Sequence, residues 1–371
     1  MELLPIDSLP IDSLPIDSLP RESLSMQSLI PASRLSAVEK ALLHSFNTSV
    51  ISDITLLKGG LSASSVYKII IDGQSYVLKL DATGEPLNKT KGHPSSMEIA
   101  AKAGIAPPLY YLNTEDALTI TGFIDPKPLR AVFTTPEILV GNLANTIRSI
   151  HALPPFSKGN NLLDTVDTLI SQIKESPLFT EIIFEDILAY YDLIRTHYPW
   201  QDTDTVPSHN DLNPNNIICD GEKIWIVDWD AAYQNDRYVD LAIAANFFVT
   251  NEINENKFLE AYFGNVLNEY IRARFFIMQQ ICRIVYAILM FKLANTAIST
   301  PAIDDHEMRS ASLQTIGEQL GSGKLSLSSG KGQLLYGKAL LNEALKNVRS
   351  PRFGTSLGLL ADAPNHVSLG I

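Results

Sequence analysis

The sequence predicts an α+β fold in which a small unit of strands and helix precedes a larger, mainly helical unit. Before residue 124, four short segments are rich in β-branched and aromatic residues, and Asp72-Gly73 between two of them is typical of a hairpin turn. After residue 125, long stretches have the apolar spacing of amphipathic helices, interrupted by one compact β-rich patch. A chain of 371 residues is long enough for one large domain or two smaller ones.

The two predicted units contain the following elements. The first, residues 36–124, has a helix from Ser36 to about Phe46, strands at 51–57, 65–71, 76–80 and 118–123, and a helix at 95–103. Gly104 is expected to end that second helix, because glycine adopts the backbone conformation that follows many helices. The second unit, residues 125–300, has predicted helices at 137–151, 163–175 and 180–196, a β-rich hairpin at 216–229, and further helices through residue 297.

Both ends of the chain lack this pattern. Leu-Pro-Ile-Asp-Ser occurs three times near the N-terminus. A proline in each copy blocks a continuous helix, so residues 1–33 are predicted to be a disordered tail, with a tandem docking motif as the alternative. Residues 301–371 form a C-terminal extension of unknown role. Within it, 322–332 resembles a linker and 333–347 has helical spacing, and the sequence does not decide whether it packs on the core.

Composition excludes several classes of protein. A net charge of −12 and a pI near 5.0 disfavour a nucleic-acid partner. Two cysteines exclude a disulfide scaffold, and seven scattered histidines disfavour a histidine-built metal site. The N-terminus does not resemble a signal peptide, and the apolar stretch Phe275–Leu293 contains charged and amide side chains typical of a buried helix rather than a membrane span. We therefore expect a cytoplasmic protein; the sequence does not indicate its oligomeric state.

The densest polar cluster lies around the predicted hairpin. Asp211 and Asn216 lie in a loop that enters the first strand, and Asp228 follows the second strand. Because a hairpin brings its two ends together, these three side chains are expected to surround one point. Carboxylate and amide oxygens without cysteine or histidine suit Mg²⁺, which proteins usually bind together with substrate phosphates.

These residues resemble the signature of the aminoglycoside phosphotransferase and choline kinase superfamily, the small-molecule relatives of protein kinases. His209-x-Asp211, then Asn216, then Asp228-Trp229 match that signature without a missing position. The resemblance implies a two-lobed protein-kinase-like fold, with a small antiparallel-sheet lobe, a larger helical lobe, a hinge near Ile124 and ATP in the cleft. It also implies that Asp211 is the catalytic base, that Asn216 and Asp228 bind the metal, and that His209 braces the loop.

The resemblance also implies nucleotide-binding residues in the first lobe. Lys79, on a predicted strand, would pair with the ATP phosphates and with a helix glutamate, for which Glu98 is the candidate. Thr121 and Phe123 belong to a segment similar to the hinge strand, whose backbone would hydrogen-bond adenine. The loop between the first two strands has small residues that let backbone N–H groups approach phosphate oxygens, and its candidates are Gly59, Gly60, Ser62 and Ser64. On its own, Gly59-Gly60 is more typical of an ordinary turn.

The acceptor is predicted to be a small cationic hydroxyl compound. The residues after Asp228 look closest to the choline and ethanolamine kinase branch, and Asp230, Tyr233 and Asp236 are the acceptor-binding candidates. An aminoglycoside is the alternative acceptor, and a catalytically weak ATP-binding scaffold is the alternative of another class. A protein substrate is disfavoured because Asp240, expected to brace the catalytic loop or cap the next helix, follows Asp228 within twelve residues and leaves little room for a peptide platform.

Overall fold

Two compact units make up the protein. The computed structural model describes residues 26–57, 64–81, 94–157, 159, 161–175, 181–201, 205–296 and 305–362. Of these, residues 26–132 and 215–231 form the N-terminal unit, and residues 133–214 and 232–362 form the C-terminal unit.

The elements follow the order expected from the sequence. The strands are Asp53–Leu56 (β1), Ser65–Ile71 (β2), Gln74–Leu80 (β3), Leu109–Asn113 (β4), Leu118–Gly122 (β5), Thr205–Ser208 (β6), Ile217–Cys219 (β7), Ile224–Ile226 (β8) and Tyr233–Asp236 (β9). The α-helices are Met26–Leu29 (α1), Leu35–Phe46 (α2), Ser96–Lys102 (α3), Leu129–Val132 (α4), Pro136–His151 (α5), Leu162–Lys174 (α6), Glu181–His197 (α7), Arg237–Phe248 (α8), Glu252–Phe263 (α9), Glu269–Thr296 (α10), Asp305–Ser310 (α11), Leu313–Gly321 (α12), Gly330–Val348 (α13) and Pro351–Ala361 (α14). Strands β4, β6 and β9 were not predicted, nor were the helices α1, α4, α11, α12 and α14.

A five-stranded antiparallel sheet in the order β1-β2-β3-β5-β4 forms the N-terminal unit's framework. Asp72 and Gly73 connect β2 and β3 with positive φ angles of 48° and 77°, as the predicted hairpin turn requires. Side chains alternate across the sheet. One face packs Ile69, Leu78 and Ile120 against α2 in a buried core, which leaves Lys79 of β3 on the opposite face.

The β7–β8 hairpin belongs to the N-terminal unit, although the sequence placed it in the second lobe. The hairpin backbone is hydrogen-bonded to residues of the N-terminal unit: Ile226 N donates to Ile105 O at 3.0 Å, and Cys219 O accepts from Lys127 N at 2.7 Å. The Lys223 ammonium also donates to the carbonyl of Gly104 at 2.8 Å. The compact unit thus differs from the predicted boundary at residue 124, since it extends to residue 132 and includes the later hairpin.

The predicted disordered tail of residues 1–33 ends earlier than expected. Residues 1–25 with their repeats lie outside the described part, but Met26–Leu29 are helical and Ile30 is buried in the sheet core. Arg34 fixes this segment to the unit, because its guanidinium donates to the carbonyls of Asp81, at 2.8 Å, and Asp116. The burial of Ile30 and the hydrogen bonds of Arg34 order residues 26–34, which the composition of this segment did not indicate.

Helix α10 is the centre of the C-terminal unit. The extension packs on it: Gly337 of α13 approaches Ala287 and Met290, and the Arg352 guanidinium of α14 lies 4.4 Å from the Phe276 ring centroid. The predicted helix at 333–347 is confirmed, although it begins at Gly330, inside the predicted linker. Within the described residues, one segment, Glu269–Asn295, is long and apolar enough to cross a membrane by composition, and 67% of its most apolar window is buried. Packing within the unit accounts for that apolarity, as expected for a core helix.

Candidate active site

A buried carboxylate holds the predicted catalytic loop in the C-terminal unit. The loop follows β6, and Asp240 of α8 accepts hydrogen bonds from the backbone N–H groups of His209 at 2.8 Å and Asn210 at 2.7 Å. Asp240 is fully buried. Asn210 adopts a left-handed conformation with φ 65°, which is uncommon for a residue with a Cβ and is typical of functional sites. Charge-assisted hydrogen bonds to Asp240 thus fix the backbone of the loop that carries Asp211.

The network continues through His151 at the end of α5. Its Nε2 lies 3.2 Å from Asp240 Oδ2, and its Nδ1 lies 2.6 Å from the Tyr262 hydroxyl. Arg237 donates to that hydroxyl at 3.2 Å. In this arrangement His151 donates through Nε2 to the carboxylate and accepts through Nδ1, which fixes its tautomer. His151 therefore orients Asp240 rather than binding a ligand.

Two side chains orient the carboxylate of Asp211. The Tyr286 hydroxyl, on α10, donates to Asp211 Oδ1 at 2.6 Å, and Asn213 Nδ2 donates to the same oxygen at 3.0 Å. Burial and the charge of Asp211 raise the pKa of Tyr286 well above its usual value, so this hydroxyl stays a donor. The Asp211 backbone N–H donates to His209 Nδ1 at 3.3 Å, which is the loop contact expected of His209.

A lysine and two carboxylates lie together in the N-terminal unit. The Lys79 ammonium is 2.8 Å from Asp228 Oδ1 and 2.5 Å from Asp230 Oδ2. Burial disfavours the charged form of Lys79, but the two carboxylates outweigh it and raise the pKa of Lys79 above its usual range. Asp228 has a left-handed φ of 62°, which places a strained backbone at this cluster. Asp81 Oδ1 lies 3.7 Å from the same ammonium, so one cation here faces three carboxylates.

The predicted metal ligands come from one hairpin. Val227 N donates to Asn216 O at 3.0 Å, so the residue before Asp228 pairs with Asn216 across the hairpin. Their carboxylate and amide oxygens form a donor set that fits Mg²⁺. Among the residues that the structure describes, no group of three or more His, Cys, Asp or Glu side chains is arranged around a common point. Any metal at this hairpin therefore needs oxygens from elsewhere, such as substrate phosphates and water.

The predicted pairing of Lys79 with Glu98 differs from the structure. Glu98 Oε2 accepts from the backbone N of Ser95 at 2.6 Å and from its hydroxyl at 2.8 Å, and Ser95 Oγ accepts from Glu98 N. This reciprocal capping box begins α3. Lys79 instead pairs with Asp228 and Asp230.

Of the predicted phosphate-loop residues, only Ser64 lies inside the described part of the chain. Its hydroxyl donates to Asp81 Oδ1 at 2.7 Å. Gly59, Gly60 and Ser62 lie outside the described residues.

The backbone of the predicted hinge strand is already hydrogen-bonded. Thr121 lies in β5 between β3 and β4, where it pairs with Val77 and Leu109. Phe123 N donates to Ser75 O at 3.2 Å, and the Lys68 ammonium lies 4.2 Å from the centroid of the Phe123 ring. The Phe123 amide is thus engaged by Ser75 in this conformation, and the adenine contact of this segment stays a prediction.

The acceptor-binding candidates have different environments. Asp236 accepts from Tyr238 N at the start of α8 and forms an ion pair with Arg274 at 2.8 Å, where Arg274 is 2% exposed. Its carboxylate has a structural role, which argues against its assignment to the acceptor. Asp230 is engaged by Lys79. Tyr233 of β9 is half-buried, and its ring lies so close to Gly159 that a Cβ there would approach it to 1.8 Å.

The contact between Tyr286 and Asp211 was missed by sequence reasoning. Tyr286 counted only as one of several aromatic residues that could surround a cation. No local signal identifies it, because it lies in an apolar helix 75 residues from Asp211.

The fold has the element order of a protein-kinase-like architecture: an antiparallel sheet that carries Lys79 precedes a mainly helical unit, and a braced loop of that second unit carries Asp211. A model of the Phosphotransferase enzyme family matches residues 53–276, more than half of the chain. The chain belongs to this family.

Solved structures of similar fold include small-molecule kinases. A choline/ethanolamine kinase family protein from Mesorhizobium loti has a TM-score of 0.60 and 18% identity, covering 89% of this chain and 100% of that protein. The Plasmodium vivax ethanolamine kinase has a TM-score of 0.56 and 15% identity, covering 90% and 91%. An aminoglycoside phosphotransferase, APH(4)-Ia, in a ternary complex with AMP-PNP and hygromycin B, has a TM-score of 0.52 and 13% identity, covering 85% and 99%. At these identities the similarity shows the fold, and the predicted two-lobed kinase-like class is confirmed.

One curated relative matches part of the chain. An uncharacterized protein of Metamycoplasma hominis is 31% identical over 166 residues, which cover 42% of this chain. This chain spans 30% of that relative's length.

Proposed function

We propose that this phosphotransferase is an ATP- and Mg²⁺-dependent kinase that transfers the γ-phosphoryl group to a hydroxyl of a small molecule. The observation that carries the proposal is the cluster in the N-terminal unit. Lys79, the predicted phosphate-binding cation, lies 2.8 Å from Asp228, and the hairpin joins Asp228 to Asn216, the other predicted metal ligand. A lysine and oxygen ligands for Mg²⁺ are the groups that phosphoryl transfer needs around a nucleotide.

In the proposed reaction, each group has a separate task. Asn216 and Asp228 would hold Mg²⁺, which when bound would neutralise charge on the phosphates. Lys79 would exchange its contacts with Asp228 and Asp230 for contacts with phosphate oxygens. The two carboxylates already hold its ammonium group in a fixed position. Asp211 would accept the proton of the attacking hydroxyl, while Tyr286 and Asn213 keep its carboxylate in one orientation. The rate would come mainly from positioning and electrostatics.

The proposed acceptor is a small cationic hydroxyl compound of the choline or ethanolamine type. Its support is the sequence after Asp228 and the fold shared with proteins described as choline and ethanolamine kinases. Asp236 no longer contributes, since Arg274 neutralises it. Tyr233 and Asp230 remain the candidates for contact with the acceptor. An aminoglycoside is the alternative acceptor, and a scaffold that binds ATP without turnover is the alternative class. We place the reaction in the cytoplasm.

The test is an ATP-consumption assay across choline, ethanolamine and an aminoglycoside, with and without Mg²⁺. We expect Mg²⁺-dependent turnover with one of these acceptors and a fall in kcat of roughly 10²–10⁴ in Asp211→Asn, with ATP binding retained. Asp192→Asn is the matched control, because Asp192 is an exposed aspartate on α7 of the same unit. Near-normal turnover in Asp211→Asn would remove Asp211 from the role of base. ATP binding without turnover on any hydroxyl compound would favour the scaffold.

A further inference from the structure

A polar cavity lies in the C-terminal unit, and none of its lining residues belongs to the loop of Asp211. It has a volume of about 140 Å³ and lies among α9, α10, α13 and α14. Its lining includes Gln279, Gln280, Arg283, Glu343, Arg352 and Glu255. One water needs ~10–15 Å³ of such space, so the cavity has room for a ligand of several atoms.

The charged side chains that line the cavity differ in whether they contact a partner of opposite charge. Arg352 and Glu255 pair with each other through two contacts, of 2.5 and 3.1 Å. Arg283 differs, because its Nη1 donates to the neutral amide of Gln280 at 2.9 Å while its buried Nε has no hydrogen-bond partner among the described residues. Burial lowers the pKa of Arg283 to about 10, which still leaves it charged at neutral pH. A buried guanidinium without a carboxylate partner is costly in the absence of a ligand.

Glu343 supplies a second charge at the same cavity. Its carboxylate contacts Lys346, an exposed side chain, at 3.3 Å. Within the described part of the chain, Arg283 forms no ion pair with it at 4.0 Å or less, although the charge of Glu343 acts on Arg283. The cavity therefore presents a positive group and a negative group that do not neutralise each other directly. The two acidic side chains disfavour a dianion such as phosphate.

We propose that this cavity binds a small amino-carboxylate, a compound with one carboxylate and one ammonium group, with the carboxylate on Arg283 and the ammonium on Glu343. Arg283 can donate from a terminal nitrogen to a carboxylate, the kind of charge-assisted contact for which a guanidinium is suited. The ammonium compensates Glu343 in place of the exposed contact with Lys346. The proposal does not depend on the kinase reaction.

The test measures binding to the full chain without ATP, by calorimetry and by the shift in melting temperature. The probes are alanine, acetate and methylammonium. We expect alanine to bind with a Kd in the millimolar range or below, and at least about tenfold more tightly than either single-charge probe. In Arg283→Gln the Kd for alanine should rise by about 10- to 100-fold, the usual loss of a charge-assisted contact. Lys257→Gln removes a positive charge from the exposed face of α9 and should leave binding unchanged.

Two further variants make the outcomes decisive. Glu343→Gln should abolish the preference for alanine over acetate, and this variant decides the question if Arg283→Gln does not fold. Asp211→Asn should bind alanine like the wild type, which separates this site from the proposed reaction. Absence of alanine binding, equal binding of acetate and alanine, or binding unaffected by Arg283→Gln would each overturn the proposal.

Discussion

Asp240→Asn is expected to destabilise the C-terminal unit strongly. The carboxylate is fully buried and accepts three hydrogen bonds, one from the Asn210 amide on Oδ1 and two, from the His209 amide and His151 Nε2, on Oδ2. Asparagine keeps one acceptor oxygen and replaces the other with a donor. The substitution therefore removes the acceptor of two buried donors.

The expected size follows from those contacts. Each buried donor left without an acceptor costs ~1–3 kcal/mol, and more where the lost acceptor was a charged group. We expect the free energy of unfolding to fall by about 3–5 kcal/mol. Urea titration followed by circular dichroism measures this loss, and Asp192→Asn, an exposed change of the same chemistry, is expected to change it by less than about 0.5 kcal/mol. A loss below ~1 kcal/mol for Asp240→Asn would refute the argument that the network holds the loop.

Three other variants test separate contacts. Tyr286→Phe removes the hydroxyl that orients Asp211, so kcat should fall by about tenfold while the KM for ATP stays unchanged. Steady-state kinetics measure both parameters, and an equal change in kcat and KM would contradict the prediction. Gly159→Ala should lower the free energy of unfolding by about 1–3 kcal/mol, because the new methyl group displaces the Tyr233 ring. The same substitution should be nearly neutral in a Tyr233→Ala background. If the losses of the two single variants simply add in the double variant, the prediction is contradicted. Backbone N–H donors and Trp225 lower the pKa of Asp220 to about 2, so the ionised Asp220 stabilises the fold above pH 4 and loses this effect as the pH falls toward 2. The difference in stability between the wild type and Asp220→Asn, measured by thermal unfolding from pH 6 to 2, should therefore shrink as the pH falls. A difference that stays constant over this range would contradict the prediction.

Periodicity predicted most of the longer helices and every strand of the five-stranded sheet except β4. Leu109 to Asn113 contains two tyrosines and two leucines, yet the pairing with β5 shifts register between Leu109 and Tyr111. A bulge places two residues opposite one and breaks the alternation on which sequence analysis depends. Helices α5 and α6 have regular apolar stripes without such an interruption, and both were predicted to within one residue.

The candidate site was predictable where its residues are close in the sequence. His209, Asp211 and Asn216 form one short motif, and Asp240 was expected to brace it. The contact of Lys79 with Asp228 joins residues 149 positions apart, so only the folded sheet brings them together. Asp236 shows the converse case, because an acid near the motif suggested ligand binding until its partner, Arg274, was located.

Glu98 shows how one local motif can support two assignments. Ser95 and Glu98 have the spacing of a capping box, a signal present in the sequence, but the position on a helix after Lys79 favoured an ion pair. Both roles use the same carboxylate. Both contacts from Ser95, at 2.6 and 2.8 Å, use Oε2 of Glu98, while Lys79 is held by Asp228 and Asp230. An N-cap contributes ~1 kcal/mol, whereas leaving Asp228 and Asp230 would cost Lys79 two charge-assisted contacts, so in this conformation the contacts of Lys79 oppose the predicted pair more than the cap of Glu98 does.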